Sequence, residues 1–275
     1  MYQKPAGPRS IGGVLDDSVQ LYKAAFSSCL LPSLLVSLVT GGLSYSMLSS
    51  MPLRVGRAAP ADVLAQYKAL GPTFELSYLV VILASLLFYG MIVLNTAAVS
   101  RGEQPAFGAS FALALRRTPA LLGASIVFVI AVITGFCLLI VPGFYVWNRL
   151  QLYVVPLLVE PAGAMASLGS SWRVVGGHWW RTATVVSVLF VILFVLEIVL
   201  GLFSGAFAVF GGGGIITDPS RMVVRVAVAS LLIGIVVRTF TVPLVFAAFV
   251  ALYQDLLLRR SGGDLEARLG ALSRG

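Results

Sequence analysis

Six long apolar stretches, separated by charged or turn-rich segments, constrain this chain more than any other feature of its sequence. Their cores run over Cys29–Leu48, Leu76–Ser100, Leu121–Val141, Phe144–Val159, Val185–Phe210 and Leu231–Tyr253. A helix needs about 20 predominantly apolar residues to cross a bilayer, and most of these stretches meet that length. With 59% apolar residues in a chain of 275, little is left over for a soluble domain. The expected fold is therefore all-α, a polytopic bundle of six transmembrane helices forming one integral membrane domain over residues 1–275.

The fourth stretch is the weakest. It follows the third through Val141-Pro142-Gly143 and carries Arg149 within it. Without it, Glu160 and the basic segment beyond would fall on the same side as the Pro142 turn, so it is expected to cross, with a re-entrant segment as the competing reading.

Basic residues near span ends resist translocation and mark the cytoplasmic side. An inside N terminus gives a cytoplasmic set of Lys4, Arg9, Lys23, Arg101, Arg116, Arg117, Arg173, Arg181, Arg259, Arg260, Arg268 and Arg274, against Arg54, Arg57, Lys68, Arg221 and Arg225 outside. Both termini are expected in the cytoplasm, with residues 261–275 as a tail. Met1–Gly13 is polar and shows no signal-peptide pattern, so the first apolar run reads as a retained span. The net charge of +8 sits beside membrane segments rather than on a soluble face with interleaved aromatics. It points to anionic lipid headgroups as partners, not to nucleic acid.

Amphipathic segments precede three of the hairpins. Residues 10–27 place Ile11, Leu15, Val19, Tyr22 and Phe26 at helical spacing; residues 106–118 do the same with Phe107, Phe111 and Leu115; residues 164–181 with Met165, Leu168, Trp172, Val175 and Trp179. Each stripe fits a cytoplasmic helix lying in the membrane interface, and together they suggest three repeats of amphipathic helix plus membrane hairpin. The outer connections are irregular. Residues 51–74 carry three prolines, and Gly211–Gly214 reads as a flexible tether before Asp218-Pro219, a helix-start signal. A helix from there to Arg260 would be about 60 Å long at about 1.5 Å per residue, so it should bend near Pro243 or project beyond the bilayer.

Polar residues inside apolar spans mark candidate sites, because an uncompensated charge at mid-span costs about 3 kcal/mol. Arg149, Glu197 and Arg238 form the expected intramembrane polar cluster, with Glu197 and Arg238 at similar depth on consecutive antiparallel spans. Arg149 precedes Val155-Pro156-Leu157 as Arg238 precedes Val242-Pro243-Leu244, which puts an arginine and a helix-breaking proline in corresponding places. A second group, Trp172, Arg173, Trp179, Trp180 and Arg181, fits contact with lipid or a protein partner, the tryptophans as apolar anchors and the arginines at headgroup level. His178, the single histidine, lies among them without the nucleophile and acid that catalysis would need. No metal-binding motif, P-loop or dinucleotide fingerprint is present, and Cys29 and Cys137 are placed in spans too differently for a disulfide. The sequence calls for no catalytic residue, metal or cofactor.

In order along the chain, Ile11-Gly12-Gly13-Val14-Leu15-Asp16, Leu21-Tyr22-Lys23, Val141-Pro142-Gly143-Phe144-Tyr145, Ser171-Trp172-Arg173, Gly177-His178-Trp179-Trp180-Arg181, Tyr253-Gln254-Asp255-Leu256 and Asp264-Leu265-Glu266 resemble a group of six-span bacterial inner-membrane proteins. These are similar to the membrane domain attached to some glycerophosphoryl diester phosphodiesterases. The resemblance implies a membrane domain without the phosphodiesterase barrel, and it transfers no catalytic residue. The resulting expectation is a non-enzymatic, membrane-organising or accessory protein that binds lipid or a membrane-protein partner through its interfacial helices. The competing expectation is a transporter or lipid-handling protein with a polar intramembrane pocket.

Overall fold

A computed structural model of the protein describes residues 2, 5, 7–50, 71–160, 163–210, 219–260 and 262, and the described residues form helices and turns. In chain order these are α1 (Ile11–Ser50), α2 (Gly71–Ser100), α3 (Phe107–Leu138), α4 (Ile140–Leu150), a 3-10 turn (Gln151–Tyr153), α5 (Val154–Val159), α6 (Ala164–Val175), α7 (Trp179–Phe210) and α8 (Pro219–Arg260). The outer loop expected at 51–74 falls largely outside the described residues, as do Gly211–Gly214, Asp218 and all of the 261–275 tail except Gly262.

Five helical stretches are long and apolar enough to cross a membrane: Ile11–Ser46, Glu75–Ser100, Phe107–Leu138, Trp179–Ala206 and Arg225–Arg260. Five such helices are compatible with a multi-pass membrane protein, since a helix satisfies its own backbone groups in lipid. The expected fourth span departs from this pattern. Phe144–Val159 is not one helix but parts of α4 and α5 with the 3-10 turn between them, and Pro156, lacking an N–H, sits in the short second piece.

Tertiary contacts define a basal end where several elements meet. The Arg9 amide, just ahead of α1, donates to Asp255 near the end of α8 at 2.8 Å, and the Gln254 amide donates to Ser100 Oγ at the end of α2 at 2.8 Å. Arg181, at the start of α7, also reaches Asp255. Glu160, after α5, accepts a 2.7 Å hydrogen bond from Tyr253. Gly143 at the start of α4 packs on Gly135 near the end of α3, so the broken segment carries the chain from the end of α3 back to the basal end.

Helix α1 packs most extensively on α8 and then on α2. The α1–α8 pair is antiparallel, with Ser33 Oγ donating to the Thr239 carbonyl at 2.8 Å and Phe26 stacked on Phe240 at 5.6 Å. Across α1 and α2, Asn95 donates to the Ser28 carbonyl at 2.8 Å, and the Cys29 thiol lies 3.6 Å from Thr96 Oγ1. Small residues allow such approaches: a Cβ at Gly41 of α1 would sit 2.7 Å from Ile235 Cδ1 of α8, and one at Gly135 of α3 would sit 3.0 Å from the Gly143 Cα of α4. Close crossing at small residues is how helices pack when lipid is as apolar as their side chains.

The three amphipathic stripes are divided between exposed and buried positions, Leu168 and Val175 of the third lying in the core. Phe107, Phe111 and Leu115 are exposed on α3, whereas Ser110, Ala114 and Thr118 are buried. On α1, Ile11 and Val19 are exposed, and the buried face runs through Val14, Asp17, Ser18, Leu21 and Ala25. The expected threefold repeat is not reproduced as three equal units. The first two amphipathic stretches continue without a break into α1 and α3, whereas the third is a separate helix, α6, cut from α7 by Gly176 and Gly177. Pro219 is the first residue of α8, where the sequence placed it, and Pro243 lies inside that helix of 42 residues.

Candidate interfacial binding site

Arg149 is the residue the fold moves furthest from its expected role. It does not join Glu197 and Arg238. Its guanidinium lies 4.5 Å from the Trp172 ring centroid and 5.1 Å from that of Tyr145, beside the Gly176 backbone where α6 ends. The local sequence explains the position. Ser171 Oγ of α6 donates to the Arg149 carbonyl at 2.8 Å, which locks α6 against the end of α4. The glycine at 176 leaves room that a Cβ would take, since such an atom would come 2.9 Å from an Arg149 terminal nitrogen.

Around this arginine the aromatic side chains form a continuous set. Tyr145 contacts Trp172 edge-on at 6.0 Å and Trp179 at 5.8 Å, and Trp179 meets Trp180 at 4.7 Å. Trp180 is 79% exposed, and Trp172 and, seven residues earlier on α6, Met165 are exposed as well. Such cation–π contacts hold a guanidinium by about 0.5–2 kcal/mol without cancelling its charge. Among the described residues no carboxylate pairs with Arg149, and its buried Nε has no hydrogen-bond partner. The arrangement is thus a fixed cation on an apolar, aromatic platform, suited to an anion that arrives with an apolar body.

Arg181 and Arg173, both expected at headgroup level, part company. Arg181 Nε pairs with Asp255 Oδ2 at 2.9 Å, and its terminal nitrogen donates to the Arg9 carbonyl. Arg259 pairs with the same Asp255 oxygen at 3.1 Å and also donates to the Arg9 carbonyl. Asp255 is only 5% exposed, so its charge is met by two guanidiniums and the Arg9 amide, and Arg181 is used up as a clamp between α7, α8 and the segment before α1. Arg9 also pairs with Asp17 at 3.5 Å. Tyr2 lies against this node, and burial first, then the Asp17 charge, pushes its hydroxyl pKa up to about 12. Arg173 remains exposed, bonded to the Gly169 carbonyl at 3.2 Å. His178 sits in the α6–α7 turn, where its amide donates to the Val175 carbonyl and its carbonyl accepts from Thr182 Oγ1.

Glu197 and Arg238 do come together, as lining residues of one cavity of about 160 Å³ with Ser37, Ser44 and Ser230. They form no ion pair within 4.0 Å in the structure, and both are exposed on the bundle surface. Among the described residues no group of three His, Cys, Asp or Glu side chains is arranged to hold a metal ion, and both thiols are free, Cys29 buried and Cys137 exposed. Sequence reasoning missed the Asp255 node. Its signal was Asp255 lying four residues before Arg259 at the polar end of an apolar helix.

A family model described as a domain of unknown function, DUF7847, matches residues 77–256. The chain belongs to this family. The DUF7847 region begins within α2 and ends one residue past Asp255, so it contains Arg149, its aromatic platform and the α7–α8 part of the node. No curated protein and no solved structure matches the chain. The family description assigns no activity to any of these residues.

Proposed function

We propose that this DUF7847 protein is a non-enzymatic, membrane-organising or accessory component that binds anionic lipid headgroups at one membrane surface. The observation that carries the reading is Arg149, fixed between the Tyr145 and Trp172 rings with no carboxylate among the described residues to neutralise it. Its neighbours supply the rest of a headgroup site: Arg173 as a second cation, and Trp172, Trp180 and Met165 as exposed apolar anchors. The basic residues gathered at the basal end support, in this reading, a site on the cytoplasmic side of a bacterial inner membrane with both termini inside. The likeness to the membrane domain of some glycerophosphoryl diester phosphodiesterases agrees with a lipid setting and adds no hydrolytic site.

The test is lipid retention by the full chain in nanodiscs containing phosphatidylglycerol and phosphatidylcholine, read by native mass spectrometry. Arg149→Gln should lower retained phosphatidylglycerol several-fold while leaving phosphatidylcholine unchanged, and Trp172→Ser with Trp180→Ser should lower both. Retention of phosphatidylglycerol unaltered in all variants would remove the reading. A transporter or lipid-handling role through the Glu197 and Arg238 cavity is the second reading, supported by the serines that share its wall. Solute flux in vesicles, lost in Arg238→Gln and kept in Arg149→Gln, would favour it.

A further inference from the structure

The hairpin of α3 and α4 ends in a turn unlike the others in the chain. No charged residue occurs between Arg117 and Arg149, and residues 137–143 at the turn carry no polar side chain beyond the Cys137 thiol. Leu138, Leu139, Ile140 and Val141 are each 69–78% exposed there, and Ile126, Ile130 and Ile133 are exposed along α3. The far ends of the other hairpins differ: α1 closes through Ser44, Tyr45 and Ser46, α2 has Glu75 as its fifth residue, and α8 carries Arg221 and Arg225 in its first two turns. The backbone of the α3–α4 turn is also closed on itself. Leu139, the one residue between the helices, donates its amide to the Gly135 carbonyl at 3.1 Å, and its carbonyl accepts from the Gly143 amide at 3.2 Å. Pro142 brings no N–H. A turn with paired backbone and apolar side chains suits hydrocarbon, not a membrane surface.

Contacts on α4 limit how deep this turn can reach. The Tyr145 ring lies 5.8 Å from that of Trp179, two residues before the Arg181 that closes on Asp255, and the Arg149 carbonyl accepts from Ser171 of α6 at 2.8 Å. Helix α4 therefore runs along the basal end through Tyr145 and Arg149. From Tyr145 back to Ile140 it advances about 8 Å at about 1.5 Å per residue, whereas a hydrocarbon core is about 30 Å thick. The turn stops well short of the far surface. Helix α3, with 32 residues, is long enough to cross but must lie obliquely to end there.

We propose that α3 and α4 form a re-entrant wedge that enters and leaves the bilayer at the basal surface, its uncovered face occupied by the acyl chains of the basal leaflet. The chain then crosses the membrane four times, in α1, α2, α7 and α8. Acyl chains fit this face better than a protein partner does. Helices in lipid are held together by small residues and hydrogen bonds, whereas the exposed positions of the tip are bulky and apolar, and Gly135 and Gly143 are already packed on each other. Such a wedge takes up area in one leaflet and none in the other. The inference stands apart from headgroup binding, because it uses the position of α4 and not the charge of Arg149.

The chain carries its own probe for the test. Cys137 beside the tip is exposed and Cys29 is buried, so an uncharged thiol-reactive NBD label is attached at Cys137 of the full-length protein, which is then reconstituted in phosphatidylcholine vesicles. Phosphatidylcholine with a nitroxide near the end of its acyl chain should quench the label at least about twofold more than the same lipid with the nitroxide near the headgroup. Dithionite, which does not cross bilayers, is supplied on both sides. It should reduce the Cys137 label at least about tenfold more slowly than a label at Tyr45→Cys, placed at the far end of α1 in a Cys29→Ser, Cys137→Ser background. Reduction at Cys137 as fast as at Tyr45→Cys would show that the hairpin crosses, and would overturn the proposal. So would stronger quenching near the headgroup, a comparison that needs no substitution and stands even if the Tyr45→Cys protein does not fold. Absence of quenching by either lipid would mean that a second copy or another protein covers the tip, which would overturn the lipid assignment.

Discussion

The Asp255 node and the Arg149 platform lie at the same end of the bundle and are both built around arginine, yet they solve opposite problems. At the node, Arg181 and Arg259 converge on one buried carboxylate, and charge is cancelled where α7, α8 and the segment before α1 meet. At the platform, Arg149 is held by the faces of Tyr145 and Trp172 and keeps its charge. The contrast separates an arginine that fastens helices from one left able to receive an anion. A salt bridge spends the cation on the protein, whereas a cation–π contact positions it without spending it.

The largest test of that contrast is Asp255→Asn. It leaves Arg181 and Arg259 facing each other with no countercharge, and breaking a buried pair in this way should cost about 3 kcal/mol. Thermal unfolding in detergent should show the loss clearly, with Arg149→Gln shifting the midpoint far less. Equal shifts for the two variants would erase the distinction between fastening and receiving arginines.

A second effect, next in size, sits in the glycine contact that seats the platform. Gly135 and Gly143 let α3 and α4 approach until a Cβ on Gly135 would lie 3.0 Å from backbone. Gly135→Leu should force the helices apart at about 1–3 kcal/mol and carry Tyr145 and Arg149 together away from Trp172 on α6, so stability and phosphatidylglycerol retention should fall together. The Asp255→Asn protein, compared at a temperature where it remains folded, should keep its lipid. Loss of lipid in Asp255→Asn alone would reverse the assignment.

Arg149→Lys sharpens the contrast at smaller scale. Lysine keeps the charge but cannot stack its ammonium as a planar guanidinium does, so retention of phosphatidylglycerol should fall to a level between Arg149 and Arg149→Gln, a change of about threefold to tenfold. Stability should be unchanged within about 0.5 kcal/mol. Retention equal to that of Arg149→Gln would mean that stacking geometry, not charge, sets binding.

How much of this was legible in the sequence follows from which forces act locally. The long apolar helices were legible because span length is a property of contiguous residues. The break in the fourth segment was signalled by Pro142, Gly143 and Pro156 but not decided, because the choice between one helix and three pieces depends on what packs beside it. On the first turns of α3 the bulky Phe107, Phe111 and Leu115 are exposed and the small Ser110, Ala114 and Thr118 face inward, the reverse of a soluble helix, whereas α1 buries Val14 and Leu21. The sites were less legible. Grouping Arg149 with Glu197 and Arg238 rested on depth along separate spans, and depth says nothing about which helix faces turn toward each other. The Asp255 node joins residues 9, 181, 255 and 259, a closure visible only when the ends of three elements are brought to one place.

The smallest expected effect concerns the remaining pair from the sequence reading. Glu197 and Arg238 share a cavity wall, but they form no ion pair, and both extend from the outer surfaces of α7 and α8. Long charged side chains in that position can carry their heads toward the membrane surface instead of toward each other. In a double-mutant cycle, Glu197→Gln and Arg238→Gln should therefore be nearly additive, with a coupling within about 0.5 kcal/mol. A coupling above about 1 kcal/mol would show that the two close into a direct bridge in the membrane. Arg238 would then be fastened as Arg181 is, in contrast to Arg149, which pairs with no carboxylate among the described residues.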